Sequence, residues 1–193
     1  MPLDQIVAEN GDFRKLVIGC RASGTALPYP DAWFSCYVSN LVLQLIASPE
    51  SQIREAYRVL KPGSVAAFTV WGRKPNSWLF TVRDEAERRL RERGVQFEAG
   101  PANGALSNFE FGANIDQFVG VFREAGFAQV KHWFQMQNFR IRNGDEYLAF
   151  FPNLRNLDEQ LRNEIKAVYD ELSGAGTTDL KVFEAMIILA YKD

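Results

Sequence analysis

The chain has 193 residues, of which 47% are hydrophobic and 24% are charged, and its formal net charge is −2. This length suits one globular domain, and the composition excludes intrinsically disordered, collagen-like and low-complexity proteins. The slightly acidic balance argues against a protein whose main task is to wrap nucleic acid, because that task usually requires a basic face.

Cysteine and histidine are too scarce for the usual metal or disulfide frameworks. The two cysteines are Cys20 and Cys36, and His132 is the only histidine, so we predict no disulfide framework and no metal site. His132 lies in a predicted strand and is interpreted as a strand residue. No signal sequence opens the chain, and no apolar run reaches the roughly 20 residues of a membrane helix. We therefore expect a reduced, cytoplasmic protein.

The first third of the chain is predicted to alternate short strands with turns. Lys15–Cys20 and Phe34–Ser39 are apolar runs of strand length, and Leu41–Ile46 is predicted to be a buried helical turn. Val65–Trp71 is continuous, β-branched and aromatic, which is typical of a strand covered on both faces.

A helix is predicted between the second and third of these strands. Ser48 is a suitable N-cap, and Pro49 occupies the first helical position, where a missing N–H costs nothing. Four residues at helical spacing form one apolar stripe, namely Ile53, Ala56, Tyr57 and Leu60. Lys61-Pro62-Gly63 then predicts a turn.

The second half of the chain also alternates helices with strands. Ser77–Arg93, Asp116–Ala125 and Leu157–Leu172 are predicted helices, Gly94–Gly112 is a predicted loop, and Gln129–Ile141 and Phe183–Tyr191 are predicted strands. The mixed charges of Arg83 to Arg89 favour a solvated helix face over a nucleic-acid patch. This alternation predicts an α/β domain with a mostly parallel sheet.

Several segments form a series in the order of the chain. They are Leu27-Pro28-Tyr29-Pro30-Asp31, Trp33-Phe34, Arg58-Val59-Leu60-Lys61-Pro62-Gly63, Glu124-Ala125-Gly126-Phe127 with Val130, and Ala185–Lys192. The series resembles the class I S-adenosylmethionine-dependent methyltransferases, within the group of ubiquinone and menaquinone biosynthesis enzymes and small-molecule methyltransferases. The resemblance implies a Rossmann-like α/β methyltransferase sheet that lacks its first strands and ends in an antiparallel strand.

The resemblance also implies a division of the chain. Residues 1–193 are expected to form one methyltransferase-like domain, in which 1–26 are a remnant of the cofactor-binding half and 27–193 are the C-terminal half. The family holds S-adenosylmethionine at a glycine-rich turn before the Leu-Pro-aromatic loop. No Gly-x-Gly occurs there in this chain, and the segment is shorter than the roughly 30 residues of one strand-helix-strand unit. We therefore expect weak or absent cofactor binding by this chain alone.

Site residues follow from the same resemblance. Ser23, Gly24, Leu27, Ser39 and Asn40 stand at positions that contact S-adenosylmethionine in the family, although capping of the next helix explains Ser39 and Asn40 equally well. Three tryptophans are candidates for an acceptor pocket, and core packing is the alternative for each: Trp71, Trp78 and Trp133. No catalytic residue is named, because methyl transfer depends mainly on orientation.

Three hypotheses about function follow. The chain methylates an unknown small molecule, it is a non-catalytic methyltransferase-like interaction protein, or it is a truncated product of a longer methyltransferase. A sheet without its first strands exposes an edge or a face that a homo-oligomer or a protein partner would cover.

Overall fold

The computed structural model describes residues 4–8, 15–19, 21–99, 109–138, 140–174 and 181–193. Strands β1 (Asp4–Ala8) and β2 (Lys15–Gly19) pair antiparallel and form a small sheet of their own. The strand predicted at Lys15–Cys20 is thus confirmed over β2, while Cys20 lies outside the described residues. β2 pairs with β1 and is not part of the main sheet.

The main sheet contains four strands in the order β3-β4-β6-β5. These strands are β3 (Phe34–Asn40), β4 (Leu60–Trp71), β5 (Gln129–Asn138) and β6 (Lys181–Tyr191). β3 and β4 are parallel, whereas β6 is antiparallel to both of its neighbours. The α/β fold with an antiparallel C-terminal strand is therefore confirmed.

The prediction of a mostly parallel sheet is wrong for neighbouring strands. β3, β4 and β5 run in the same direction, as helical crossovers require. The C-terminal strand β6 inserts between β4 and β5 in the opposite direction. Only one adjacent pair in this sheet is consequently parallel, because the insertion of β6 is a long-range pairing that local periodicity does not encode.

Six helices accompany the strands in the described part of the chain. They are α1 (Pro49–Val59), α2 (Val82–Glu92), α3 (Glu110–Ala113), α4 (Ile115–Glu124), α5 (Gly144–Phe150) and α6 (Glu159–Ser173). The helix predicted at Ser77 begins at Val82, because two short 3₁₀ turns precede it. Helix α5 was missed, since seven residues are too few to show a helical period.

Two buried clusters organise the packing. The first lies between one face of the sheet and helices α1 and α4, and it includes Phe68, Phe122 and Ile188. The second joins α2, α5 and α6 into a helical layer around Leu161 and Tyr169. Helical spacing predicts five inward-pointing residues in the α6 region, of which four are buried and Leu172 is 46% exposed: Leu157, Leu161, Ile165, Val168 and Leu172.

The other face of the sheet is less well covered. Val65, Ala67, Ile187 and Leu189 are only partly buried. They belong to none of the buried clusters formed by the described residues. On the outer strands this face exposes large apolar side chains, among them Trp133 on β5 at 41%.

The described residues lack a membrane-spanning helix and a cluster of metal-binding side chains. None of their helices is long and apolar enough to cross a membrane. Within the same residues, no group of three or more histidine, cysteine, aspartate or glutamate side chains is arranged to hold a metal ion. His132 lies on β5, as predicted, and is exposed.

Candidate functional site

The carboxyl ends of β3 and β4 meet in a small hydrogen-bonded corner. The Thr69 hydroxyl donates to Asn40 Oδ1 at 2.5 Å, and the Leu41 amide lies 3.0 Å from both the Thr69 carbonyl and its hydroxyl. Leu41 adopts a φ of 54°, a left-handed conformation that costs a non-glycine residue about 1–2 kcal/mol. Such strain persists where surrounding contacts enforce it and is common at functional sites.

A cavity of about 300 Å³ opens beside this corner. Its walls come from all four strands of the main sheet and from the bend after β3, and the described residues that form them carry no charged side chain: Asn40, Leu41, Thr69, Gln137, Phe183, Ala185 and Ile187. This volume lies near the lower end of the range for small-molecule sites. In a sheet of this kind, ligands bind at the carboxyl ends of the parallel strands, so this cavity is the candidate site.

Aromatic rings connect the cavity to the helical layer. The Trp71 ring lies 5.2 Å from Phe183 and 4.5 Å from Phe80, and Phe80 in turn contacts Phe109 and Phe151. Trp71 is 6% exposed, and its Nε1 has no hydrogen-bond partner among the described residues. Trp71 therefore belongs to the packing behind Phe183.

A buried carboxylate holds the chain that leaves β4. Glu184 on β6 is 2% exposed and accepts hydrogen bonds from the Arg73 amide, the Arg73 guanidinium and Asn76 Nδ2. The Ser77 hydroxyl accepts from the Glu184 amide. Burial alone would raise the pKa of Glu184, but the donors from Arg73 and Asn76 outweigh it and keep that pKa below 4.5. These bonds fix the start of the helical layer against the sheet.

Gln52 connects α1 to β3 and to the preceding loop. Its Nε2 donates to the Ser39 hydroxyl at 3.1 Å and to the Tyr37 hydroxyl at 3.0 Å. A Cβ on Gly24 would lie 3.1 Å from Gln52 Oε1, and this oxygen is buried without a partner. Gly24 and Ser39 are therefore both neighbours of Gln52, on the side of β3 that faces α1.

Glu55 and Arg58, also on α1, bind the loop that begins at Leu27. The Leu27 amide donates to Glu55 Oε1 at 2.6 Å, and Arg58 donates to the carbonyls of Leu27 and Tyr29 and to Asp31. The hydrogen bond from Arg58 lowers the pKa of Glu55. α1 thus binds the Leu-Pro-aromatic loop through Glu55 and Arg58.

We expect Arg58→Ala to release this loop. Hydrogen exchange of the Leu27 amide should accelerate, and proteases should cut between residues 21 and 32, because Arg58 bonds two loop carbonyls and Asp31. Arg54→Ala is the matched control, since Arg54 is exposed on the same helix and donates only to Ser51. If the loop is equally protected from hydrogen exchange and proteolysis in the two variants, Arg58 does not hold it.

Comparison with known proteins finds methyltransferases among those similar to this chain. Residues 4–68 match the family model described as a methyltransferase domain. The ubiquinone/menaquinone biosynthesis C-methyltransferase UbiE of Ruegeria sp. is 30% identical over 113 residues, which cover 55% of this chain and 44% of that protein. A mitochondrial 2-methoxy-6-polyprenyl-1,4-benzoquinol methylase of Dictyostelium discoideum is 27% identical over 109 residues, covering 55% of this chain and 35% of that protein.

A solved structure extends the similarity to the fold. A methyltransferase from an antibiotic biosynthesis pathway of Anabaena variabilis superimposes with a TM-score of 0.50 at 12% identity, covering 86% of this chain and 70% of that one. The chain is similar to S-adenosylmethionine-dependent methyltransferases over about half of its length. It spans less than half the length of the two sequence relatives above.

The methyl donor of this family is S-adenosylmethionine, and the residues predicted to hold it do not fit it by themselves. The Leu27 amide and carbonyl are bonded to Glu55 and Arg58. Ser39 is 4% exposed and bonded to Gln52. The exposed Ser23 bonds Thr25 and closes a tight turn onto Ala26.

Only one of the five predicted cofactor residues borders the candidate cavity, and that residue is Asn40. Gly24 and Ser39 meet at Gln52, on the other face of β3. The assignment of all five residues to the cofactor stays a prediction, and their polar atoms are largely occupied within the chain.

The three tryptophans lie in different places. Trp71 packs behind the cavity wall, as described above. Trp78 packs 5.7 Å from Tyr169 in the helical layer. Trp133 is the cross-strand neighbour of Ile187 and is 41% exposed. Neither Trp78 nor Trp133 lines the cavity.

Sequence reasoning missed the polar residues that shape the site. Thr69 was interpreted only as part of a buried strand, although a single hydroxyl in an apolar run is a usable signal. Gln137 and Phe183 come from strands more than 60 residues further along the chain, so only the sheet pairing could place them beside Thr69.

Proposed function

We propose that this chain provides the acceptor-binding side of an S-adenosylmethionine-dependent methyltransferase that acts on an uncharged small molecule. The observation that carries the proposal is the uncharged cavity at the carboxyl ends of β3 and β4. An ionised acceptor would lose its hydration there without gaining a counter-charge, which costs several kcal/mol or more.

The cavity also offers hydrogen-bonding groups that would orient an acceptor. Thr69 occupies Asn40 Oδ1, which leaves the Asn40 amide nitrogen as a donor, and Gln137 adds a second amide. The described residues that line the cavity include no titratable side chain, so the role we propose for them is orientation of the acceptor. The benzoquinol in the name of the Dictyostelium relative is an acceptor of this uncharged, hydroxylated kind.

We expect the cavity to distinguish p-cresol from p-toluate, which have similar size but differ in charge at pH 7. Titration followed by tryptophan fluorescence should show saturable binding of p-cresol and at least tenfold weaker binding of p-toluate. Equal affinity for both compounds, or no binding of either, would contradict an uncharged acceptor site.

Thr69→Val tests the corner itself. Valine keeps the volume of threonine but removes the hydroxyl that bonds Asn40 and the Leu41 amide, so binding of p-cresol should weaken by about tenfold, which is 1.4 kcal/mol. Thr81→Val is the control, because the Thr81 hydroxyl donates to the Trp78 carbonyl outside the cavity. The proposal fails if both variants bind p-cresol like the parent chain.

Cofactor binding is tested separately. Calorimetric titration with S-adenosylmethionine should give no saturable heat, because Leu27 and Ser39 bond side chains of α1 and Asn40 bonds Thr69 on β4. Saturable binding would show that the chain holds the cofactor through other residues.

A second candidate is a non-catalytic, methyltransferase-like interaction protein. It is favoured by the sheet face around Val65, Ala67, Ile187 and Leu189, which no described apolar cluster covers. Failure of p-cresol to bind, together with a stable complex through that face, would favour this candidate over the first.

A further inference from the structure

A second cavity lies on the opposite side of the sheet from the candidate site. Its volume is about 280 Å³, and its described walls come from the start of α1, from α3 and from α4. These helices pack on the face of the sheet that carries Phe68 and Ile188. The candidate site is lined by the adjacent residues of the same strands, Thr69 and Ile187, which point to the other face. The two cavities share no described lining residue and are therefore separate sites.

The floor of this second cavity is apolar and fixed by packing. Phe111 of α3 stacks on Phe118 of α4, with ring centres 4.3 Å apart and ring planes at 22°. Phe118 is 4% exposed, and its ring centre lies 5.3 Å from that of Phe122 in the first buried cluster. Because these rings are already held in place, the apolar part of a ligand would bind to them without first having to order them.

The charged side chains around this floor are all of one sign. Glu50 of α1 and Glu110 of α3 line the cavity, and no described lining residue is basic. Glu55 is paired with an arginine of its own helix α1, whereas Glu50 forms no ion pair with a described residue. The side-chain amides of Asn114 and Gln117 complete the polar part of the wall. Carboxylate and amide oxygens attract a cation and accept its hydrogen bonds.

The helix dipoles at the cavity do not reverse this sign. Glu50 lies in the first turn of α1, and Asn114 is the residue before α4, so two helix N-termini border the cavity and favour negative charge there. Each N-terminus is equivalent to about half a positive charge. Together the two helix ends balance only about one of the two carboxylates, and the cavity keeps a net negative charge.

We propose that this second cavity binds a small organic cation, an amine whose ammonium group is held by Glu50 and Glu110 and whose apolar body packs on Phe111 and Phe118. An ammonium group donates up to three hydrogen bonds and accepts none, which matches a wall of carboxylate and amide oxygens. A volume of about 280 Å³ lies just below the usual range for ligand sites, so the body of the amine is no larger than about one ring. This site is additional to the proposed acceptor site and does not depend on it.

Three probes of similar shape and different charge give the first test. At neutral pH phenethylamine is a cation, phenethyl alcohol is uncharged and hydrocinnamate is an anion. A titration followed by ligand-observed NMR should show saturable binding of phenethylamine, at least tenfold tighter than that of either other compound. Added salt should reduce this preference, because it screens the two carboxylates. Preference for the anion, equal affinity for all three probes, or no binding of the amine overturns the proposal.

Substitutions locate the bound amine. Glu50→Gln removes a charge and keeps the shape of the side chain, so binding of phenethylamine should weaken about threefold, as expected for an exposed ion pair. Ala47→Phe, at an exposed position on the cavity wall, should fill the cavity and abolish binding, while circular dichroism shows an unchanged fold. Glu124→Gln is the matched control, because Glu124 is exposed at the far end of α4 and does not line the cavity. The proposal is overturned if Ala47→Phe binds the amine like the parent chain, or if Glu50→Gln and Glu124→Gln have equal effects.

Discussion

Gly112→Ala should destabilise the protein by about 3 kcal/mol, the upper end of the usual cost of overpacking, because the neighbour is rigid. A Cβ at position 112 would collide with the carbonyl oxygen of Gly72, a backbone atom that cannot rotate away. Gly72 is itself fixed, because its amide donates to the Glu184 carbonyl at 2.7 Å. The substitution must therefore separate α3 from the end of β4, and urea unfolding measures the cost.

Gly120→Ala is the control with the opposite sign. Gly120 lies inside α4, and no atom lies within 4 Å of a Cβ placed there. Alanine should stabilise this helix by about 0.5–1 kcal/mol, because it restricts the unfolded chain and favours the helix. Destabilisation by both substitutions to the same extent would show that the contact between Gly112 and Gly72 is not what makes position 112 sensitive.

At neutral pH, Glu184→Gln should destabilise the protein to an extent comparable with Gly112→Ala. The carboxylate accepts four hydrogen bonds from Arg73 and Asn76, and glutamine would replace one accepting oxygen with a donor that faces these donors. Glu184 is 2% exposed but Arg73 is 51% exposed, so solvent compensates part of the loss, and we expect a cost of about 1–3 kcal/mol for the buried hydrogen bonds that are broken. Glu171→Gln is the control, because Glu171 is 62% exposed in its pair with Arg89 and solvent compensates its loss.

The effect of Glu184→Gln should also depend on pH in a definite direction. The pKa of Glu184 in the folded protein lies below 4.5, so its carboxylate stabilises the fold fully above the unfolded value. That contribution is lost as the pH falls through the folded pKa. The difference in unfolding free energy between parent and variant should therefore stay constant above pH 4.5 and shrink below it. A difference that grows on acidification would contradict the assignment.

Gly112→Ala and Glu184→Gln should also affect the candidate site, because Gly72, Arg73 and Glu184 connect β4 to the helical layer. The Arg73 guanidinium also lies 4.2 Å from the ring centre of Phe134 on β5, which adds a second contact between this segment and the sheet. Movement of this segment would displace Phe183, the residue before Glu184 and a wall of the cavity. Binding of p-cresol should consequently weaken in both variants, alongside the loss of stability.

Local signals in the sequence were enough for most of the elements. Pro49 begins α1, and the stripe of Ile53 and Ala56 is buried, as helical spacing predicts. The predicted ends of helices were less accurate where hydrogen bonds to distant residues decide where a helix begins. Ser48 bonds Ser51 and does not cap the helix backbone, and the segment from Lys74 to Phe80 forms 3₁₀ turns held by Glu184 before α2 begins.

The sequence by itself determined the α/β class, most helices and strands, and the resemblance to methyltransferases, because apolar periodicity and short motifs depend on neighbouring residues. Only the tertiary structure decided the insertion of β6 between β4 and β5, the cavity that joins Thr69 to Gln137 and Phe183, and the bonds from Glu55 and Arg58 to the Leu-Pro-aromatic loop. These features depend on pairings between residues far apart in the chain. Their geometry is set by the packing of the whole sheet, and no local pattern records it.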